Sequence, residues 1–346
     1  MLFKKGIFKL ACTLVLEFLF LTFANSQEGT GSLPVRIMFY NVENMFDILD
    51  DPLKDDDEFL PHGLRRWNGS RYNKKLNSIY KTIIAAGEWS PPAIVGFSKI
   101  ENRKVLEDLV YSTGLSNFNY GIIHGESPDP RGIDVCMIFR KDIVRIIEYK
   151  LWIPHSLNKN DFHSRNVLYI KCAILLDTLH LMINHWPSKR GGVLPGEPLR
   201  KEIAMMVRNA ADSLSGLFPD VSKIIILGDF NCDPDDSVIQ MLVNQGESGG
   251  AHLINMAKDK KSTAYGTYRY MGAWEILDQI IISEGLLNCA AGVYAYPSGF
   301  RIFNPDFLLK KDLKYPGLTP YSTYRGYRYQ GGFSDHLPVL LDLGVR

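Results

Sequence analysis

Five short polar segments hold the side chains with which this chain could do chemistry, and each borders an apolar run. Tyr40-Asn41-Val42-Glu43-Asn44 ends one such run. By period-two alternation Asn41 and Glu43 share a face. An amide beside a carboxylate suits a hard cation or a phosphate, and equally a solvated turn. Gly228-Asp229-Phe230-Asn231 ends another run, with Asp229 and Asn231 pointing one way and Phe230 the other. That pair can orient a water and a phosphoryl oxygen, or merely close the strand as an Asx turn. Asn184-His185-Trp186-Pro187 precedes Ser188-Lys189-Arg190-Gly191-Gly192. Here His185 can donate to a phosphate oxygen while Lys189 and Arg190 hold an anion on a glycine-rich turn. Leu277-Asp278-Gln279-Ile280 puts a carboxylate inside a run of Ile and Leu, and Ser334-Asp335-His336-Leu337-Pro338 leads into the last apolar run. A buried Asp needs a donor, and an imidazole N–H supplies one. An Asp278–His336 pair would orient the ring as a general base.

The elements that must position these groups are legible as apolar runs. Strands are expected over Val35–Tyr40, Ala93–Phe97, Ile133–Phe139, Val167–Leu176, Leu179–Asn184, Lys223–Leu227, Ile276–Ile282 and Pro338–Leu343. Several are continuously apolar, as in Ile224-Ile225-Ile226-Leu227, which is the pattern of strands covered on both faces. Helices are expected over Asn73–Trp89, with Leu76, Ile79, Tyr80, Ile83 and Ile84 on one stripe and Pro91-Pro92 as the stop, and over Arg200–Leu214. Strands alternating with helices suggest packed sheets with helices outside. The aromatic, basic and Gly/Pro-rich stretch Phe300–Phe333 reads as long loops flanking a site.

The ends and the composition set further bounds. Lys4, Lys5 and Lys9 precede the apolar run Leu10–Phe23, and Ala24-Asn25-Ser26 offers small residues before Gln27. That is the layout of a signal peptide over residues 1–26, with an apolar core short for a membrane span. An exported protein, periplasmic or secreted, with no stable membrane span after cleavage is therefore expected. Residues 27–346 carry no repeat or linker and are expected to form one domain, working as a monomer. Setting aside Lys4, Lys5, Lys9 and Glu17 takes the net charge from +1 to about −1, so no basic surplus draws the mature chain to nucleic acid or anionic lipid. Cys136 and Cys172 sit in strand-like runs as core cysteines, and no Cys/His cluster has zinc spacing.

Taken in order, Asn41/Glu43, Gly228-Asp229-Phe230-Asn231, Asp278 and Ser334-Asp335-His336 resemble the endonuclease/exonuclease/phosphatase superfamily, with its deoxyribonuclease-I-like fold. Arg131-Gly132-Ile133-Asp134, Asn184–Gly192, Gly266-Thr267-Tyr268, Leu277–Ile280 and Gly331–Pro338 are similar to an exported bacterial branch, and the likeness runs from about Val35 to Leu343. The resemblance implies a four-layer αββα sandwich, two mixed β-sheets flanked by helices. It also implies Mg²⁺- or Mn²⁺-assisted hydrolysis of a phosphoester, a small molecule or a nucleic acid fragment. In that scheme Asp278 and His336 activate water or polarise the phosphate. Asp229 and Asn231 place nucleophile and phosphoryl group, and His185 stabilises the transition state. Asn41, Glu43 and Asp335 hold or support the metal.

One residue departs from the pattern. The family carries a metal-binding Glu at the end of the strand that corresponds to Ala93–Phe97, where this chain reads Gly96-Phe97-Ser98-Lys99-Ile100-Glu101-Asn102. An ammonium cannot ligate a cation. Either Glu101 takes over as ligand, or Lys99 supplies part of the positive charge itself, or Lys99 is an altered residue. Arg131, Lys189, Arg190, Tyr324 and Arg325 are the expected substrate contacts, with Tyr324 in a tyrosine-rich run able to stack on a base or sugar. The rival expectations are a phosphate-binding protein without turnover and an extracellular nuclease.

Overall fold

Strands form where the sequence is densest in Val, Ile and Leu. In the computed structural model, which describes residues 35–88, 90–154, 164–189, 193–216, 221–244, 250–260 and 265–346, these segments build two large sheets. The expected leader 1–26 and Arg190 lie outside the described residues. In chain order the strands are β1 (Val35–Met45), β2 (Ile94–Ile100), β3 (Tyr120–His124), β4 (Asp134–Arg140), β5 (Val144–Trp152), β6 (Val167–Ile174), β7 (Asp177–His185), β8 (Ile224–Asp229) and β9 (Leu253–Asn255). They continue with β10 (Tyr268–Tyr270), β11 (Ala273–Glu275), β12 (Asp278–Ser283), β13 (Val293–Ile302), β14 (Leu309–Lys311), β15 (Leu318–Pro320), β16 (Tyr324–Arg325), β17 (Arg328–Tyr329) and β18 (Val339–Val345). The helices are α1 (Gly69–Gly87), α2 (Arg103–Tyr111), α3 (Val193–Ser215) and α4 (Ser237–Val243).

One six-stranded sheet has the order β13-β18-β1-β2-β4-β3 and the other β5-β6-β7-β8-β12-β9. Both are mixed, because β1 runs parallel to β2 and β7 parallel to β8 while the remaining pairs are antiparallel. Alternation along each strand then builds three cores. Ile37, Phe39, Ile225 and Leu227 point between the sheets. Met38 and Tyr40 face the other way, against Leu76, Ile79 and Ile83 of α1 and Leu106 of α2. Ile224 and Ile226 face Ile203 and Val207 of α3 and Val238 and Ile239 of α4. Three cores separate four layers, so the molecule is an αββα sandwich, and continuous apolar runs were required because both faces of each central strand are covered.

α1 starts four residues earlier than its apolar stripe suggested, because Asn68 caps it by accepting from Arg71 N–H. The stretch Phe300–Phe333 is more ordered than loops. β13 extends through Ile302, and the short hairpins β14/β15 and β16/β17 follow. Cys136, Cys172 and Cys232 are buried free thiols, and Cys289 is exposed.

Candidate active site

The parallel pairs place the C-terminal ends of β1, β2, β7 and β8 at one edge of the sandwich, and the antiparallel strands β12 and β18 begin at that same edge. Chain leaving these strands must turn at once. Positive φ values at Glu43 (54°), Asn44 (57°), Lys99 (63°) and Asn231 (49°) mark the turns. Left-handed backbone in four non-glycine residues at one place is strain of the kind that gathers at functional sites. Gly228 has a steric reason to be glycine. It pairs with Asn184 across β7 and β8, and a Cβ would lie 2.3 Å from the Asn184 carbonyl oxygen.

Two hydrogen bonds lie at this edge. Asn41 Nδ2 donates to Asp229 Oδ2 at 2.8 Å, and His336 Nδ1 lies 2.7 Å from Asp278 Oδ2. Asp278 stands directly opposite Asp229 in the β8–β12 ladder, as the first residue of β12 rather than inside the expected strand. Asp229 Oδ1 accepts from Asn231 N–H at 3.0 Å, and its Oδ2 lies 3.9 Å from His336 Nε2 and 3.7 Å from His185 Nε2. Burial alone would lower the His336 imidazole, but Asp278 and Asp229 outweigh it and hold the imidazolium up to about 9. His185 goes the other way: burial, then the charges of Arg165 and Lys99, push it well below the usual imidazole range. Burial raises the Asp229 carboxyl, opposed by His336 and Lys99. The two rings therefore differ in charge at neutral pH, His336 cationic and His185 neutral.

These groups open into a cavity of about 640 Å³ lined by Lys99, Arg131, Arg165, His185, Lys189, Asp229, Asn231, Asp335 and His336, with Tyr268, Tyr270 and Leu277 as an apolar wall. Arg131 is clamped by Asp129 through Nε and Nη2, and Lys189 Nζ pairs with Asp236 at 2.7 Å. Tyr324 and Arg325 lie elsewhere than expected. They line neighbouring depressions, and Tyr324 is buried against Trp67 with its hydroxyl donating to the Arg65 carbonyl, so its ring is packed and not offered to a base.

Of two further expected metal ligands, Glu43 lines a neighbouring depression with Lys99 and Asp335, and Glu101 lines neither. Period-two alternation fails at Glu43 because β1 bulges between Asn41 and Met45. Both Glu43 carboxylate oxygens turn to the backbone N–H groups of Thr323 and Tyr324, and Asn41 Oδ1 accepts from Glu43 N–H at 3.1 Å. Glu101 Oε2 accepts from Asp47 N–H at 2.6 Å, outside the cavity lining, and burial with nearby Asp47 raises its carboxyl to about 8. It faces away because β2 bulges at Lys99, so Glu101 does not stand where a second alternation would put it.

Three groups escaped the sequence reading. Lys75 is fully buried on α1, donating to Thr323 Oγ1 at 2.5 Å and to the Phe333 carbonyl, and burial lowers it to about 8 although Glu43 and Asp335 attract its charge. Lys75, Ser78 and Thr82 form a polar stripe beside the apolar one at helical spacing, which was the available signal. Asp129 and Arg165 were invisible by spacing: Arg165 bridges Asp129 to the carbonyls of His185 and Trp186, fixing the end of β7.

A model of the Endonuclease/Exonuclease/phosphatase family matches residues 36–344, so the chain belongs to that family. Among solved structures, humanized D. rerio TDP2 is similar with a TM-score of 0.55 and 14% identity, over 91% of this chain and 100% of that one. An endonuclease/exonuclease/phosphatase from Bacteroides vulgatus gives the same TM-score of 0.55 and 14% identity, with 91% and 100% covered. A mannosyl-6-phosphatase of Bacteroides thetaiotaomicron gives 0.54 and 15%, with 89% and 99% covered. At such identities the likeness is one of fold. A search of curated proteins finds no match.

Enzymes of this family are phosphoester hydrolases that use divalent metals. Here Asp229, Asp278 and His336 offer ligand atoms within 4.8 Å of one another. Their geometry is nonetheless that of a hydrogen-bonded Asp–His pair facing a second carboxylate. Both Glu43 oxygens and Glu101 Oε2 accept from backbone N–H groups, and Lys99 lines the cavity with Asp229 and His336. Two unit charges about 4 Å apart interact by roughly 4 kcal/mol at an effective dielectric near 20, and a divalent ion meets that repulsion twice over. The residues present do not fit a divalent cation at the position the family pattern reserves for it.

Proposed function

We propose that this chain is a hydrolase of small phosphoesters, of the phosphatase or phosphodiesterase type. The observation that carries this reading is the Asp278–His336 pair at 2.7 Å facing Asp229 inside a cavity of about 640 Å³. That volume suits a small ligand rather than a duplex. In this reading the Asp229 carboxylate, oriented by Asn41 and by the Asn231 N–H, takes a proton from the attacking water. The water oxygen attacks phosphorus, the ester P–O bond breaks, and an aryl leaving group departs as its phenolate. His336, kept cationic by Asp278, donates to a phosphoryl oxygen, and neutral His185 donates to another as charge builds. Asp278 accepts no proton and holds the ring.

The test is hydrolysis of aryl phosphomonoesters and phosphodiesters by the intact protein, with EDTA and with added Mg²⁺ or Mn²⁺, beside Asp229→Asn. Turnover that Asp229→Asn abolishes supports the reading. No turnover of either class, in any ion, from a protein that still melts cooperatively sinks it. Lys99 favours a second reading, a phosphate-binding protein on the same scaffold without turnover. Site of action outside the cytoplasm rests on the leader-like residues 1–26.

A further inference from the structure

We infer that the Lys99 ammonium is the resident cation of this pocket, binding a phosphoryl oxygen directly, so that the site takes a phosphomonoester dianion without a divalent ion. The inference rests on the phosphoester reading for its ligand class, but it concerns binding and does not need turnover.

The backbone aims Lys99 by design. On either side of it β2 and β4 keep register, Ser98 opposite Val135 and Ile100 opposite Asp134, so Lys99 is the extra residue of a bulge with φ of 63°. A bulge turns one side chain out of the alternating pattern, and this one turns into the cavity that Asp229 and His336 line. Left-handed backbone at a lysine is strained, and the paired strands on both sides sustain it.

The other basic groups of the cavity are engaged. Asp129 holds Arg131 in a two-point clamp, and Arg165 is tied to Asp129 and to two carbonyls. Lys189 is paired with Asp236 and His336 with Asp278. Among the described residues Lys99 makes no hydrogen bond or ion pair, which leaves its three N–H donors for a ligand. Its charge nonetheless reaches both groups, opposing the upward push of burial on Asp229 and adding to the downward push on His185.

Charge settles which ligand this arrangement accepts. Among the described residues the lining Arg131, Arg165 and Lys189 already have carboxylate partners in Asp129 and Asp236, so the charge left to meet a ligand is that of Lys99. A metal ion would be repelled by that ammonium, whereas a phosphate dianion is attracted to it. A monoester brings two charges and three terminal oxygens, enough to meet Lys99, His336 and His185 together. A diester brings one charge and fewer free oxygens.

The experiment is calorimetric titration of the intact protein with inorganic phosphate in EDTA, repeated for Lys99→Met and Lys99→Arg, with Mn²⁺ binding followed by electron paramagnetic resonance. Wild type and Lys99→Arg are expected to bind phosphate in chelator, and Lys99→Met to bind at least tenfold more weakly while keeping its thermal transition. Lys99→Glu is expected to bind Mn²⁺ at least tenfold more tightly than wild type. Equal phosphate affinity for wild type and Lys99→Met overturns the inference, as does phosphate binding that appears only when Mn²⁺ is added. If Lys99→Met does not fold, the wild-type titration in chelator still decides, because absence of phosphate binding there refutes it. Phosphate binding without hydrolysis of any ester would retain the inference while the hydrolase reading fails. Mn²⁺-dependent hydrolysis without chelator-stable phosphate binding would do the reverse.

Discussion

His336 has two partners of the same sign, and they act on it differently. Asp278 touches Nδ1 at 2.7 Å, while Asp229 Oδ2 lies 3.9 Å from Nε2, beyond a direct hydrogen bond. Asp278→Asn keeps the shape but removes the charge that sustains the imidazolium. We expect kcat on an aryl phosphate to fall by about 10²–10⁴, with KM changed far less, in steady-state assays at neutral pH. A loss confined to KM would instead make Asp278 a binding group. Lys75 is a residue-scale counterpart on the structural side. Lys75→Met removes the buried donor to Thr323 Oγ1 and the Phe333 carbonyl and the nearby positive charge felt by Glu43 and Asp335, at a cost of about 1–3 kcal/mol. A urea midpoint unchanged from wild type would refute that account.

Elements explain what the sequence could and could not disclose. The eight expected strands all appear, because each central strand is covered on both faces and so must be apolar throughout. Asp229, Asn231, His185 and His336 were legible as polar residues abutting those runs, and the structure brings them to one cavity. What alternation could not foresee were its own interruptions, the bulges at Glu43 and Lys99, which depend on neighbouring strands and not on local composition. Those bulges turned Glu43 toward the N–H groups of Thr323 and Tyr324, beside Lys99 and Asp335, and Glu101 toward Asp47. Tertiary contacts likewise turned Tyr324 into a packed ring, and spacing gave no hint that Asp129 and Arg165 anchor the end of β7. The displaced Glu101 yields its own test. Its carboxyl is raised to about 8 from an ordinary value near 4.5, so the folded state holds the proton more tightly than the unfolded chain. That contribution to stability is full below pH 4.5 and is lost as pH rises toward 8. Glu101→Gln keeps an acceptor for Asp47 N–H, and its melting temperature should gain on wild type steadily across that window. A constant difference from pH 5 to 8 contradicts the assignment.

At the scale of the molecule, charge and access govern what the protein meets. A chain near −1 without its first 26 residues has no excess of positive charge to hold a duplex, and a cavity of about 640 Å³ is of small-ligand size. Single- and double-stranded DNA are expected to be cleaved far more slowly than a small aryl phosphate in side-by-side assays. Among the described residues no helix is long and apolar enough to cross a membrane. The leader reading predicts a mature N-terminus at Gln27, which intact-mass measurement of exported protein checks; retention of residues 1–26 would count against it. The hydrogen bonds from Asn41 to Asp229 and from His336, just ahead of β18, to Asp278 give the proposed reaction centre a second use. They sit on the seam of the sandwich, so the rate becomes a gauge of how the two halves are aligned. A substitution deep in the interface that slides one sheet on the other by an ångström would slow turnover well before it lowered the melting temperature.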